Sequence, residues 1–253
     1  MATTRIRGRV ITAPQTQHHS HQLTKGIEMQ IGIIGAGFIA RAVAAVATNH
    51  GHDVMVSNTR GPDTLFSLVG SIGCKAGTPE QAAASAGLAL VAIPLKAYRA
   101  LPVAQLEGKI VLDANNYYPE RDGHIAELDR DEITTSELLA RHLPKSRIVK
   151  AFNAITAADI ETDGRPAGSP GRRALPIAGD DVAAKKVVAE LLDEFGYDTV
   201  DAGRLVEGRR FQKDTPAYCV PMDSRELQEA INNTSNPPPD RTLVRHRHAP
   251  PNN

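Results

Sequence analysis

The chain reads as an α/β protein, a doubly wound, mostly parallel sheet with a small C-terminal addition, and three observations predict that class. From residue 29 to about 210, short apolar runs alternate with helical patterns, as in a parallel sheet covered on both faces by crossover helices. Near the start of this stretch, Met29-Gln30-Ile31-Gly32-Ile33-Ile34-Gly35-Ala36-Gly37-Phe38-Ile39-Ala40 runs from an apolar strand through a glycine turn into a helix. At 253 residues the chain has room for one such domain with a full core plus tails, whereas two domains of usual size would be crowded.

The elements follow in order. Residues 1–28 carry Arg5, Arg7, Arg9, Lys25 and three histidines, with no acid before Glu28. They read as a disordered extension or an upstream start, with a transit peptide as the competing reading. Strands are expected at 30–34, 53–57, 73–76, 88–93, 109–113, 147–151, 174–178 and 198–201. The first helix, about Phe38 to Asn49, is rich in alanine, so it can lie close to the sheet, and Gly51 stops it. A later helix is capped by Asp180 or Asp181, faces the core with Val182, Val187, Val188, Leu191, Leu192 and Phe195, and ends at Gly196. Before it, the connection 162–173 holds three glycines and two prolines and reads equally as a mobile flap or a plain surface loop. The folded domain is expected over 29–215, and 216–253 as a mostly disordered tail.

Composition excludes several functions. Lys+Arg and Asp+Glu both number 29, so the broad positive field of a nucleic-acid binder is missing. Cys74 and Cys219 stand far apart without ligand spacing, which points to a reducing compartment and a cytoplasmic protein. No apolar stretch approaches the roughly 20 residues that cross a bilayer. His18, His19, His21, His246 and His248 lie in the tails, and no metal site is expected from them.

The glycine turn carries the first chemistry. Gly35 makes the tight turn, Gly37 leaves room for a pyrophosphate, and Ala40 stands where a third glycine would set the helix–strand distance. The turn and first helical residues, Gly35, Ala36, Gly37, Phe38 and Ile39, can therefore hold a dinucleotide on their backbone N–H groups. After the second strand an acid would hold the ribose hydroxyls of NAD, but this chain has Ser57-Asn58-Thr59-Arg60. The Arg60 guanidinium can pair with a 2′-phosphate and stack on adenine, with Ser57 and Thr59 donating hydroxyl hydrogen bonds and Asn58 replacing the acid. NADP(H) is the dinucleotide expected.

The remaining candidates come from strand ends, where a doubly wound sheet binds its ligand. Ile93, Pro94 and Leu95 end the fourth strand and would wall the nicotinamide ribose. Asn115 and Asn153 follow the fifth and sixth strands and could orient the carboxamide or a substrate carbonyl; asparagine is equally a common turn former. The chain lacks Tyr-x-x-x-Lys, GxSxG and HExxH patterns and a placed carboxylate pair, so no catalytic side chain is expected. An acceptor that takes its proton from solvent would not require one.

These residues resemble the coenzyme F420-dependent NADP oxidoreductases, a family of NADPH-dependent F420 reductases and their bacterial relatives. The resemblance rests on Ile31–Gly37, Ser57–Pro62, Asp113–Pro119, Lys150–Asn153 and Ala178–Asp181, and extends over about 29–215. It implies a Rossmann domain with a small C-terminal addition, usually a homodimer, in which the nicotinamide passes hydride to a deazaflavin stacked on it without a catalytic side chain. Ser57-Asn58-Thr59-Arg60 and Asn115-Asn116-Tyr117-Tyr118-Pro119 look like the bacterial branch. The expected function is hydride exchange between NADP(H) and a small planar acceptor, F420 or a flavin. The alternatives are an NADP(H)-binding redox sensor, or reduction of an imine, a quinone or a metal chelate.

Overall fold

The computed structural model describes residues 28–234, so the expected N-terminal extension, save Glu28, and the chain beyond 234 lie outside the described residues. Eight strands form one sheet: β1 (Gln30–Ile34), β2 (Asp53–Ser57), β3 (Lys75–Gly77), β4 (Leu88–Val91), β5 (Ile110–Asp113), β6 (Arg147–Lys150), β7 (Ala174–Gly179) and β8 (Asp198–Asp201). Their order is β3-β2-β1-β4-β5-β6-β7-β8. The first six run parallel, β7 is antiparallel to β6, and β8 is parallel to β7. Strand order reverses at β1, leaving a crevice between the carboxyl ends of β1 and β4 where such sheets bind ligands.

The crossovers are α1 (Phe38–Asn49), α2 (Phe66–Ile72), α3 (Pro79–Ser85) and the short α4 (Val103–Leu106), α5 (Pro119–Asp122) and α6 (Ala126–Asp129). They continue with α7 (Thr135–His142), α8 (Ala157–Thr162), α9 (Val182–Glu194) and α10 (Ser224–Asn233). Side chains alternate across the sheet as a strand requires. Ile31, Ile33, Leu88, Leu90, Ile110, Leu112 and Val149 enter one core with α1 and α9, while Ile34, Val91, Val111 and Ile148 enter another with Leu139 of α7. Gly32 lets α3 lie against β1, since a Cβ there would come within 2.0 Å of the Ala82 carbonyl oxygen.

The doubly wound α/β class and seven of the eight strand positions agree closely with the sequence reading. The third strand is shifted to Lys75–Gly77, because Gly73 takes a left-handed φ of 80° to close α2. Asp181 caps α9, its side chain accepting from the Ala184 N–H, but Val182 stands exposed at the first helical position instead of joining the core. The connection before β7 is a pinned surface loop: Arg172 binds Asp193, Asp198 and the Gly196 carbonyl, and Arg173 binds Asp159 and Asp163.

The expected tail also needs correction. Residues 216–234 are folded onto the sheet, with Leu227 and Ile231 of α10 buried against Val200 of β8, Ala174 and Ala178 of β7, and Phe211. Four residues apart, they share one helix face. The ten residues of α10 hold only three apolar side chains, Leu227, Ala230 and Ile231, and they stand directly before a Pro-rich, polar terminus.

Candidate functional site

The glycine turn joins β1 to α1 at the crevice. Gly35 has φ 122° and a Cβ there would sit 2.1 Å from the Ala92 carbonyl oxygen, so the turn against β4 admits glycine alone. Gly37 is different: nothing lies within 4 Å of where its Cβ would be, leaving the space above the turn open. Gly37 is the N-cap of α1, no side chain caps it, and no acid stands in the first turn. The first N–H groups of α1 and the positive end of its dipole therefore face outward for an anion. Ala36, Phe38 and Ile39 border that space, Phe38 with 85% of its surface exposed, and Ala40 is buried against the sheet. Arg41, which sequence reasoning missed, donates through Nε to the Ala36 carbonyl at 2.9 Å and stands exposed beside the turn.

The segment after β2 divides the four expected phosphate-binding residues. Ser57 is fully buried and its hydroxyl donates to the Ile33 carbonyl at 2.9 Å. It stitches β2 to β1 and cannot reach a 2′-phosphate, because as the last strand residue it points into the sheet's interior. Asn58 accepts from the Arg60 N–H and donates to the Thr64 hydroxyl, each at 2.9 Å, which shapes the turn. Thr59 and Arg60 are exposed, and the Arg60 guanidinium has no partner among the described residues.

Beyond β4, Ile93 is half-buried and Pro94 exposed at the crevice. Leu95 is a correction: it is fully buried among Leu128, Ile133 and Leu138, because the 3-10 turn Leu95–Ala100 directs it into the core. Asn115 accepts the Ile93 N–H at 2.9 Å and Asn153 donates to the Phe211 carbonyl at 3.0 Å. These bonds fix both amide orientations, since a backbone N–H needs an acceptor and a carbonyl needs a donor. Asn115 Nδ2 and Asn153 Oδ1 are then left buried without a partner among the described residues. One free donor and one free acceptor are the complement of a carboxamide. The backbone supports this placement at some cost: Phe152, buried beside Asn153, holds φ 60°, a conformation that costs about 1–3 kcal/mol outside glycine.

Under the asparagines lies a polar group that sequence reasoning also missed. Asp113 and Lys150 end β5 and β6 in register and both are fully buried. Asp113 accepts from the Asn115 N–H at 3.0 Å and the Ser136 hydroxyl at 2.6 Å. Lys150 donates to the Asn115 carbonyl at 3.2 Å and the Thr135 hydroxyl at 2.9 Å. Burial pushes the Lys150 ammonium below the ordinary lysine range, and the Asp113 carboxylate opposes that push. The available signal was an acid and a base at the ends of two apolar strands, legible only once the strands are neighbours. Gly208 makes space for the lysine stem, since a Cβ there would lie 2.6 Å from Lys150 Cδ.

Among the described residues no cluster of three His, Cys, Asp or Glu could hold a metal ion, and no helix is long and apolar enough to cross a membrane. A depression of about 570 Å³ lined by Met29, Gln30, Asp53, Leu88 and Ile110 lies at the amino ends of the strands, opposite the glycine turn.

Comparison with known proteins supplies the remaining findings. The family described as NADP oxidoreductase, coenzyme F420-dependent, matches residues 30–117, from the start of β1 to just past β5. The chain is 30% identical over 199 residues to the metalloreductase STEAP3 of Rattus norvegicus, an overlap of 76% of this chain and 38% of that protein. The chain spans less than half the length of the curated relatives it matches. Among solved structures, a protein from Arthrobacter sp. FB24 provisionally described as an F420-dependent NADP reductase is 26% identical with a TM-score of 0.62, over 72% of this chain and 87% of that one. The hypothetical protein SMa0349 of Sinorhizobium meliloti is 30% identical with a TM-score of 0.66, over 77% of this chain and 95% of that one.

Proposed function

Because the chain belongs to the coenzyme F420-dependent NADP oxidoreductase family, we propose that it binds NADP(H) across the crevice between β1 and β4 and exchanges hydride with a small planar acceptor such as F420 or a flavin. NADPH would supply the hydride, from nicotinamide C4. The single observation that carries the reading is the pair of buried amide atoms without partners, Asn115 Nδ2 and Asn153 Oδ1. Leaving such groups unpaired costs about 1–3 kcal/mol each, and a carboxamide, which carries both an acceptor and a donor, matches them in kind.

The chain's residues then have separate tasks. Gly35, Ala36, Gly37, Phe38 and Ile39 hold the pyrophosphate on the uncapped start of α1. Thr59 and Arg60 receive the 2′-phosphate, with Asn58 shaping their turn. Ile93 and Pro94 wall the nicotinamide ribose and exclude water. Hydride transfer itself asks only that the two rings be stacked in a dry setting, which is positioning work.

A metal chelate is the competing acceptor, favoured by the 30% identity to a metalloreductase. Hydride carries two electrons and a ferric ion takes one, so that route still needs a flavin-like ring in between. We propose a cytoplasmic location, consistent with the two free cysteines, Cys74 and Cys219, and a homodimer, as the family resemblance implies.

Calorimetry with NADPH and NADH, followed by NADPH oxidation with F420, FMN, FAD, riboflavin and ferric citrate, tests the proposal. We expect NADPH to bind in preference to NADH and to be oxidised by one of the ring acceptors. Equal affinity for the two nucleotides, or no turnover with any ring, overturns it.

A further inference from the structure

The carboxyl edge holds a tyrosine pair that the hydride reading does not use. Tyr118 follows β5 and Tyr218 follows the 3-10 turn Leu205–Phe211, and their hydroxyl oxygens are 2.6 Å apart. The pair is tied to the carboxamide-binding asparagines. Asn116 Nδ2 donates to the Asn153 carbonyl at 2.9 Å and reaches the Tyr218 hydroxyl at 3.5 Å, and Asn153 Nδ2 donates to Asn116 Oδ1 at 3.3 Å. Both tyrosines are half-buried, within reach of a ligand.

The two hydroxyls are not equivalent. The Arg121 guanidinium lies 4.7 Å and the Lys213 ammonium 5.4 Å from the centre of the Tyr118 ring. Both cations also pair with carboxylates, Arg121 with Asp122 at 2.8 Å and Lys213 with Asp214 at 3.9 Å. Tyr218 faces Asn116, Tyr118 and Cys219, and burial pushes its hydroxyl far above the ordinary tyrosine range. Asp122, whose carboxylate accepts the Tyr118 N–H at 3.1 Å, is itself paired with Arg121 at 2.8 Å. Either hydroxyl can be the donor within the pair; with Tyr218 donating, the proton of Tyr118 is left for another partner.

We propose that Tyr118, held by Tyr218, donates the proton that must accompany hydride when the acceptor is a conjugated ring whose oxygen or nitrogen takes up the displaced electron pair. This rests on the function proposed above and names the acceptor class. As hydride forms its new bond to the acceptor ring, the ring's π pair moves to the heteroatom. Tyr118 breaks its O–H bond and the heteroatom–H bond forms. NADPH is the reductant and leaves as NADP+; the acceptor is reduced. The Tyr118 oxygen keeps the electron pair, stabilised by the Tyr218 hydroxyl, Arg121 and Lys213, and regains a proton from water.

The test uses FMN and menadione as probe acceptors with wild type, Tyr118→Phe and Tyr218→Phe. With Tyr118→Phe we expect kcat to fall about 100-fold or more, as general acid catalysis contributes that much, with the affinity for NADPH unchanged. Tyr218→Phe should lower kcat less and displace its pH profile. A second readout needs no turnover: in protein carrying ring-13C tyrosine, FMN added with NADP+, which has no hydride to give, should move the Tyr118 Cζ resonance. If wild type oxidises NADPH with neither probe, this inference is overturned, and the proposed function falls with it only where F420, FAD and riboflavin fail as well. If wild type turns over and Tyr118→Phe matches it, or the Tyr118 resonance stays in place, this inference alone is overturned.

Discussion

Arg60 is an exposed side chain without a partner among the described residues, on a turn that Asn58 holds in shape. A guanidinium positioned in that way is free to take a phosphate, and a hydrogen bond to a charged group is worth about 1.5–3 kcal/mol. Arg60→Ala should therefore weaken NADPH by roughly tenfold or more and leave NADH unchanged in calorimetry; an equal loss for both nucleotides would remove the assignment. His52 makes a residue-scale statement about stability. It is buried, its Nδ1 accepts the Met29 N–H at 3.3 Å, and its Nε2 lies 3.5 Å from Glu194 Oε2. Burial lowers its pKa, and Glu194 only partly offsets this. The unfolded chain thus binds a proton near pH 6.5 that the folded chain refuses until lower pH, so His52 contributes stability above about pH 6.5 that is lost as pH falls through that range. His52→Gln should flatten this acid limb in urea midpoints measured from about pH 7 to pH 5.

At the scale of elements, caps and glycines set the ends that position the site. Asp223 and Glu226 form a reciprocal capping box at the start of α10, with the Asp223 side chain accepting the Glu226 N–H at 2.9 Å and Glu226 accepting the Asp223 N–H at 3.1 Å. The same device opens α3 at Thr78 and α7 at Thr134. Asp223→Ala should cost about 1 kcal/mol, read as a lower Tm. The strand-turn-helix from β1 to α1 was legible because its signals are local: an apolar run, then glycines where φ and space demand them. α10 was not, because its two buried residues acquire meaning only from the β7–β8 surface that receives them. Ser57 and Leu95 failed as site residues for a related reason. Ser57 does end β2, whereas Leu95 lies four residues past the end of β4, and side-chain direction depends on the neighbouring strand and the turn that follows.

For the whole molecule, the C-terminal chain closes the sheet's second half. Residues 211–234 return over the edge, join β7 through the Ala174 N–H to the Met222 carbonyl at 2.8 Å, and bring Tyr218 to Tyr118. Ending the chain after residue 215 would expose the surface that Leu227 and Ile231 cover. Burial of each is worth about 1.5–3 kcal/mol, so the shortened protein should show a clearly lower urea midpoint, and an unchanged midpoint would mean that α10 does not contribute to the fold.

The sequence by itself determined the α/β class, the glycine turn and the turn that bears Arg60, because strand period, glycine conformation and turn chemistry are set within a few residues. Only the tertiary structure decided which polar groups meet at the carboxyl edge. Asp113 with Lys150, Asn115 with Ile93, and Tyr118 with Tyr218 at a separation of 100 residues are brought together by strand order and by the returning C-terminal chain. Their chemistry depends on burial and on the partner across the sheet, and neither is a property of a residue's neighbours along the chain.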